Sequence, residues 1–173
     1  MNIDEIRPLH PTDTLNDLIT LSRSFFAEYE SHHPHFFGID ALHDSDIISY
    51  FTRWLDDAAG ETFVAVDDDH IVGYITVYVQ DQPAFWQVKR IGHISGLMVA
   101  PAYRRQGIAA RLLDEARAFF RQQEVVYFTV FTAVANHPTL QFYAKSGLSP
   151  LCTTFLGELE SGSKTTTKGG GLR

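Results

Sequence analysis

The chain has 173 residues, of which 45% are hydrophobic and 13% aromatic, enough for one buried core and too apolar for a mainly disordered protein. Fourteen Lys and Arg against 21 Asp and Glu leave a net charge of −7, which excludes nucleic acid as a general partner. The single cysteine, Cys152, excludes a disulfide framework and a cysteine-built zinc site.

No apolar run is long enough to span a bilayer, and Met1-Asn2-Ile3-Asp4-Glu5 has neither the basic flank nor the apolar stretch of a secretory leader. The expectation is a soluble, cytoplasmic protein with no membrane partner. Residues 3–9 read as a short strand. Pro11, Thr12 and Asp13 then supply capping residues for a helix running toward Glu30, with Leu15, Leu18, Ile19, Ser22, Phe25 and Phe26 on its apolar face. A loop at 31–38 carries His32, His33 and His35; these lack a carboxylate in a fixed geometry, and no metal is assigned to them. Asp44 or Ser45 caps a second helix with Ile47, Ile48, Phe51, Trp54 and Leu55 on one side, ending near Gly60.

From Thr62 the composition turns strand-like. Residues 63–66 and 71–79 form a hairpin around Asp67-Asp68-Asp69-His70, whose carboxylates read as a solvated tip. Residues 91–99 read as a strand stopped by Pro101, which has no N–H for the ladder. Gly96 within it reads either as a bulge, which re-aims the side chains on both sides, or as a small residue beneath a packed aromatic. Residues 107–122 give the clearest helix, with Ile108, Leu112, Leu113, Ala116, Phe119 and Phe120 in a stripe. Residues 125–133 are β-branched and aromatic enough for a buried strand. Asn136 caps a short helix with Pro138 in its first turn, and Gly147 ends it in the left-handed position. A last strand is expected over 151–159, with Cys152 packed as a small hydrophobe. The Gly, Ser, Thr and Lys of residues 161–173 read as a disordered tail, leaving one mixed α/β domain over residues 1–160 with no internal repeat. That tail holds three cations and no acid, so the body is more acidic than the whole, a pointer to cationic small molecules.

Between the strand at 91–99 and the helix at 107–122 lies Pro101-Ala102-Tyr103-Arg104-Arg105-Gln106-Gly107-Ile108-Ala109. A helix start has unpaired N–H groups and a positive dipole end, so such a turn suits phosphate, and Gly107 admits a ligand to the backbone without a Cβ. Arg104 and Arg105 add charge at its rim. The Gly-Lys-Ser/Thr of a Walker loop and the Gly-x-Gly-x-x-Gly of dinucleotide folds are both missing.

In this setting Leu97-x-Val99-x-Pro101, followed by Arg104-x-x-Gly107-x-Ala109, resembles the acyl-CoA motif of the GNAT superfamily of N-acetyltransferases. Asn136, Tyr143 and Gly147-Leu148 are similar to that family's second motif, with Leu148 in place of its commoner Phe. The opening Ile6-Arg7-Pro8 before a helix, and the two helices before the hairpin, also suit it. The resemblance implies a central, mostly antiparallel sheet with splayed fourth and fifth strands, flanked by about four helices. It implies acetyl-CoA as co-substrate, held by Leu97, Met98, Val99, Arg104, Arg105, Gln106, Gly107, Ile108, Ala109 and Asn136, and a small-molecule or peptide amine as acceptor. A backbone N–H near residues 97–99 would face the thioester oxygen. Tyr143 stands where the family tyrosine gives its proton to the departing thiolate, and His93 stands where several members carry a base. Glu28 and a water chain stay open as alternatives to His93. Glu28, Tyr29, Phe36 and Phe37 would line the acceptor pocket, where aromatics and carboxylates together suit an organic cation. A non-catalytic acyl-CoA sensor is the competing class, and a homodimer is compatible with everything above.

Overall fold

The computed structural model describes residues 3–159. Among these, five strands form one sheet in the order of the chain: Glu5–Pro8 (β1), Gly60–Asp67 (β2), His70–Asp81 (β3), Arg90–Val99 (β4) and Phe128–Val130 (β5). The first four pair antiparallel and β5 lies parallel to β4. Asn16–His32 (α1) and Asp44–Thr52 (α2) separate β1 from β2, Ile108–Gln122 (α3) follows β4, and His137–Lys145 (α4) follows β5.

The two faces of the sheet carry two cores, as the alternation of a strand requires. In β2, Phe63 and Ala65 face Leu112, Leu113, Ala116 and Phe120 of α3. Their neighbours Val64 and Val66 face Leu18 and Leu21 of α1 and Ile47 and Phe51 of α2. The β2–β3 turn places Asp68 and Asp69 at φ 48° and 63°, a left-handed pair of the kind that matches strand twist. One of its carboxylates is used, since Tyr103 donates to Asp67 at 2.7 Å, and the turn is tied to the chain start by the Asp68 backbone N–H, which donates to the Asp4 carboxylate at 2.9 Å.

Several local expectations are corrected. Asp13 does not cap α1: its carboxylate takes two bonds from the Arg7 guanidinium, at 2.7 and 2.9 Å, and α1 starts at Asn16 with no side-chain cap. A fixed cation fork is a stronger partner for a carboxylate than a neutral N–H. The cap of α2 is His43, whose N–H donates to the Asp46 carboxylate at 3.3 Å. That helix stops at Thr52, well before Gly60, because Gly60 is already the first residue of β2, with the Trp54 ring where its Cβ would stand.

The strand expected over 125–133 shrinks to three half-buried residues. Val126 is 83% and Val134 75% exposed, since only Phe128, Thr129 and Val130 find partners on β4. No strand forms over 151–159 and Cys152 is exposed. Strand propensity is realised only against a neighbouring strand, and the segment has none. The expected tail at 161–173 lies outside the described residues.

At the centre of β4 the register slips: Thr76 faces Gly96 while Val77 faces Ile94, so Ser95 is an extra residue in the ladder. The slip changes the alternation. Ile94, Leu97 and Val99 pack on the α3 side and Met98 on the α1 and α2 side. Both readings of Gly96 hold together, since it adjoins the bulge and a Cβ there would meet the Tyr50 hydroxyl at 3.0 Å and the Tyr74 ring at 3.2 Å.

Candidate active site

β4 and β5 pair only at Gly92–Phe128, His93–Thr129 and Ile94–Val130. β5 then ends, while β4 runs on to Val99. From Ser95 onward β4 therefore has no strand on that side, and its backbone edge borders a cleft of about 510 Å³. His93 to Met98 form one wall of it and Val130, Phe131 and Thr132 the other. Asn136 and Tyr143 of α4 close one side; Glu28 and Tyr29 of α1 close another.

Beyond the end of β4, residues 101–103 make one turn of 3-10 helix and α3 begins at Ile108. Two left-handed residues lie between them, Arg105 at φ 66° and Gly107 at φ 81°. Alternating left- and right-handed backbone gathers N–H groups into a concave nest, and the first N–H groups of α3 have no carbonyl within the helix. A Cβ on Gly107 would meet nothing within 4 Å, so the backbone angle, rather than crowding, calls for glycine. Backbone of this shape is suited to an anion.

Tyr143 is buried, and loss of water pushes its phenol well above the usual range, with Tyr29 adding to the effect. No described side chain is hydrogen-bonded to its hydroxyl. His93 is half-buried; desolvation lowers it below its ordinary 6.5 and favours the neutral ring. Its Nδ1 shares a 3.0 Å hydrogen bond with the Thr129 hydroxyl, and its ring packs on Tyr78 at 5.2 Å. The Asn136 side chain caps α4 by accepting from the Thr139 N–H at 3.2 Å while also lining the cleft.

Arg104 turns inward from the rim. Its Nε donates to the Val99 carbonyl at 3.0 Å and its Nη2 is ion-paired with Glu28. The Glu28 carboxylate is thus already matched by a cation. Tyr29 and Phe37 line the cleft, packed edge to face at 5.3 Å. Phe36 does not; it is 59% exposed and packs beside His33. Val99, Arg104 and the residues of the turn, Arg105 to Ala109, are not among the residues that line the cleft. Among the described residues no group of three or more His, Cys, Asp or Glu could hold a metal ion, and no helix is long and apolar enough to cross a membrane.

Phe25, Phe26, Ile39 and Phe131 also line the cleft, unforeseen from the sequence. A signal for the first two existed: adjacent helical residues point in different directions, so Phe25 and Phe26 cannot both serve one narrow core face. Phe131 falls within the segment 125–133 that composition makes a buried strand, and its place in the cleft follows from where β5 stops.

With this geometry stand the likenesses to known proteins. The chain belongs to the acetyltransferase (GNAT) family, whose pattern matches residues 15–148, and the acyl donor of that family is acetyl-CoA. It is 28% identical over 103 residues to the N-terminal acetyltransferase B complex catalytic subunit NAA20 of Arabidopsis thaliana, covering 58% of this chain and 54% of that protein. The chain thus spans about half the length of that relative. It is 25% identical over 142 residues to an N-alpha-acetyltransferase of Saccharolobus solfataricus, covering 77% of this chain and 73% of that one. Among solved structures, an aminoglycoside acetyltransferase from an uncultured soil metagenomic sample, in complex with trehalose, superposes with a TM-score of 0.66. It is 25% identical, with 90% of this chain and 96% of that chain covered.

Proposed function

We propose that the protein transfers an acetyl group from acetyl-CoA to a primary amine, by direct attack within a complex of all three. The observation that carries this reading is the early end of β5, which leaves the β5-facing edge of β4 without a strand partner after Ile94, beside a cleft and ahead of the turn at 101–109. A peptide-like arm can bond to that free edge as an added strand would, and the N–H groups from Gln106 to Ala109 fit a diphosphate.

Acetyl-CoA supplies an activated acyl carbon, carried as a thioester. The residues of the chain do the rest. A backbone N–H near residues 97–99 donates to the thioester oxygen as charge gathers there, an effect typically worth ~10²–10³ in rate. His93, held neutral by burial, takes one proton from the amine as its nitrogen forms the new bond to the acyl carbon. Tyr143 gives its phenolic proton to the sulfur as the carbon–sulfur bond breaks. Its raised pKa keeps that proton in place at neutral pH until it is needed. The amide of Asn136 faces the arm, and the α1 wall with Tyr29 and Phe37 flanks the acceptor.

The N-alpha-acetyltransferases and the aminoglycoside acetyltransferase among the relatives make protein N-termini and amino sugars the first acceptors to try. The test is a thermal-shift titration with acetyl-CoA, CoA, ATP and NAD. Acetyl-CoA at about 100 times its Kd should add about 2.7 kcal/mol of stability. A response to ATP or NAD and none to acetyl-CoA would end the reading.

A further inference from the structure

A second cavity, of about 290 Å³, opens where α2 meets the bulge of β4. Its lining is Tyr50, Arg53, Trp54, Tyr78 and Ser95. The floor is polar: the Tyr50 hydroxyl and Ser95 Oγ share a 2.6 Å hydrogen bond. The wall is aromatic, with Trp54 stacked on Tyr78 at 5.5 Å and only 16° from parallel. At the mouth lies the exposed Arg53, its guanidinium 4.4 Å from the centre of the Trp54 ring.

The two cavities adjoin. Ser95 lines both, and Tyr78, which lines the second, packs on His93, which lines the first. A line of rings therefore runs from Arg53 over Trp54 and Tyr78 to His93, with successive spacings of 4.4, 5.5 and 5.2 Å. The charges along it are uneven. In the first cavity the carboxylate of Glu28 is already paired with Arg104. In the second, Arg53 belongs to none of the ion pairs among the described residues. A guanidinium stacked on an indole keeps its edge N–H groups free, in the fork that fits a carboxylate. The free charge along the acceptor route is thus a cation, opposite to what the acidic composition suggests.

We infer that the second cavity is a subsite for a carboxylate carried by the amine acceptor, gripped by Arg53 while its body lies along Trp54 and Tyr78 toward His93. The inference rests on the acetyl-transfer reading for the identity of the ligand as an amine, and on the cavity alone for its charge. The carboxylate stands away from the amine by the reach of a short chain, so it comes from an acidic side chain near a peptide N-terminus or from the far end of a small amino acid.

The experiment compares acceptors matched except for charge: pentapeptide amides differing only in Asp or Asn at one position, and γ-aminobutyrate against its amide. Wild-type protein should favour the acidic member of at least one pair by roughly 5–50-fold in kcat/KM. Whichever pair responds identifies the source as peptide or small molecule. Arg53→Gln should abolish the preference and Arg53→Lys retain part of it, with the acetyl-CoA thermal shift intact in both as a check on folding. Equal use of both members, or a preference unchanged in Arg53→Gln, overturns the subsite. If acetyl-CoA fails to bind, or no amine is acetylated, the transfer reading fails separately, and binding then decides the subsite. The chain has two tryptophans, so Trp86→Phe leaves Trp54 as the sole tryptophan, read by excitation beyond the tyrosine band. A saturable change in its emission with the acidic peptide or γ-aminobutyrate, absent with the neutral partner and lost in Arg53→Gln, upholds the carboxylate site. No such change overturns it.

Discussion

Tyr143 and His93 are shifted by the same cause in opposite directions, because burial penalises whichever form is charged: tyrosinate in one case, imidazolium in the other. Both shifts leave the side chain in the protonation state that acetyl transfer needs at neutral pH. Tyr143→Phe removes the proton donor and little volume, so turnover should fall by about 10²–10⁴ with acetyl-CoA affinity unchanged. A sensor would show no turnover to lose. For His93, a lowered pKa predicts that the acidic limb of kcat/KM lies below pH 6.5, since the neutral base survives to lower pH than a free histidine. His93→Gln should abolish that limb; a limb unchanged in the variant would give the role to Glu28 or to water. Stability carries the same sign. The unfolded chain binds the proton more readily, so the His93 contribution is present above 6.5 and is lost as pH falls below it toward the folded value. The melting temperature of wild type should therefore drop more than that of His93→Gln between neutral and mildly acidic pH.

At the scale of elements, the junction of β4 and β5 decides whether the cleft exists. Three residue pairs hold β5 in place, helped by the Gly92 N–H donating to the Tyr127 carbonyl at 2.9 Å. Beneath them Phe120 of α3 stacks on Phe128 at 5.2 Å and occupies the space of a Gly92 side chain, with ring atoms 2.5 Å from where a Cβ would stand. Gly92→Val must displace that ring. It should cost about 1–3 kcal/mol in urea unfolding and weaken acetyl-CoA binding as well. A smaller loss, with normal binding, would show the junction to be softer than its packing suggests. The Arg7–Asp13 fork plays a comparable part at the other edge, tying β1 to the start of α1. Its partners are 21% and 13% exposed, so Asp13→Asn should destabilise by about 1–3 kcal/mol without touching the cleft.

Across the whole molecule, the cleft lies where the two halves of the chain meet. Residues before the hairpin supply α1 and the loop that follows it, those after it supply β5 and α4, and β4 runs between them. The cross-ties are specific. The Tyr29 hydroxyl donates to the Phe131 carbonyl at 3.3 Å, and Arg104 reaches back to Glu28. A ligand held between the halves should slow amide exchange in α1 and α4 together, a pattern that binding confined to the 101–109 turn would not produce.

Much of this was legible in the residues themselves wherever local chemistry decides. The α3 stripe, the Asn136 cap, the left-handed Gly147 and the glycine turn before α3 need only their own neighbours, and periodicity or turn chemistry reveals them. Pairing is a different matter, because a strand exists only against another strand. Composition suggests a strand over both 125–133 and 151–159, yet only Phe128–Val130 forms one, and that shortfall opened the cleft. Charge pairing follows the same rule. Asp13 was free to cap α1 and Glu28 to meet a cation until folding brought Arg7 and Arg104 within reach. Spacing along the chain thus determined which helices, turns and motifs this protein contains. Which carboxylates are already matched, which edge stays open and which arginines stay outside ion pairs were decided only by tertiary structure, since each depends on groups far apart in sequence meeting in space.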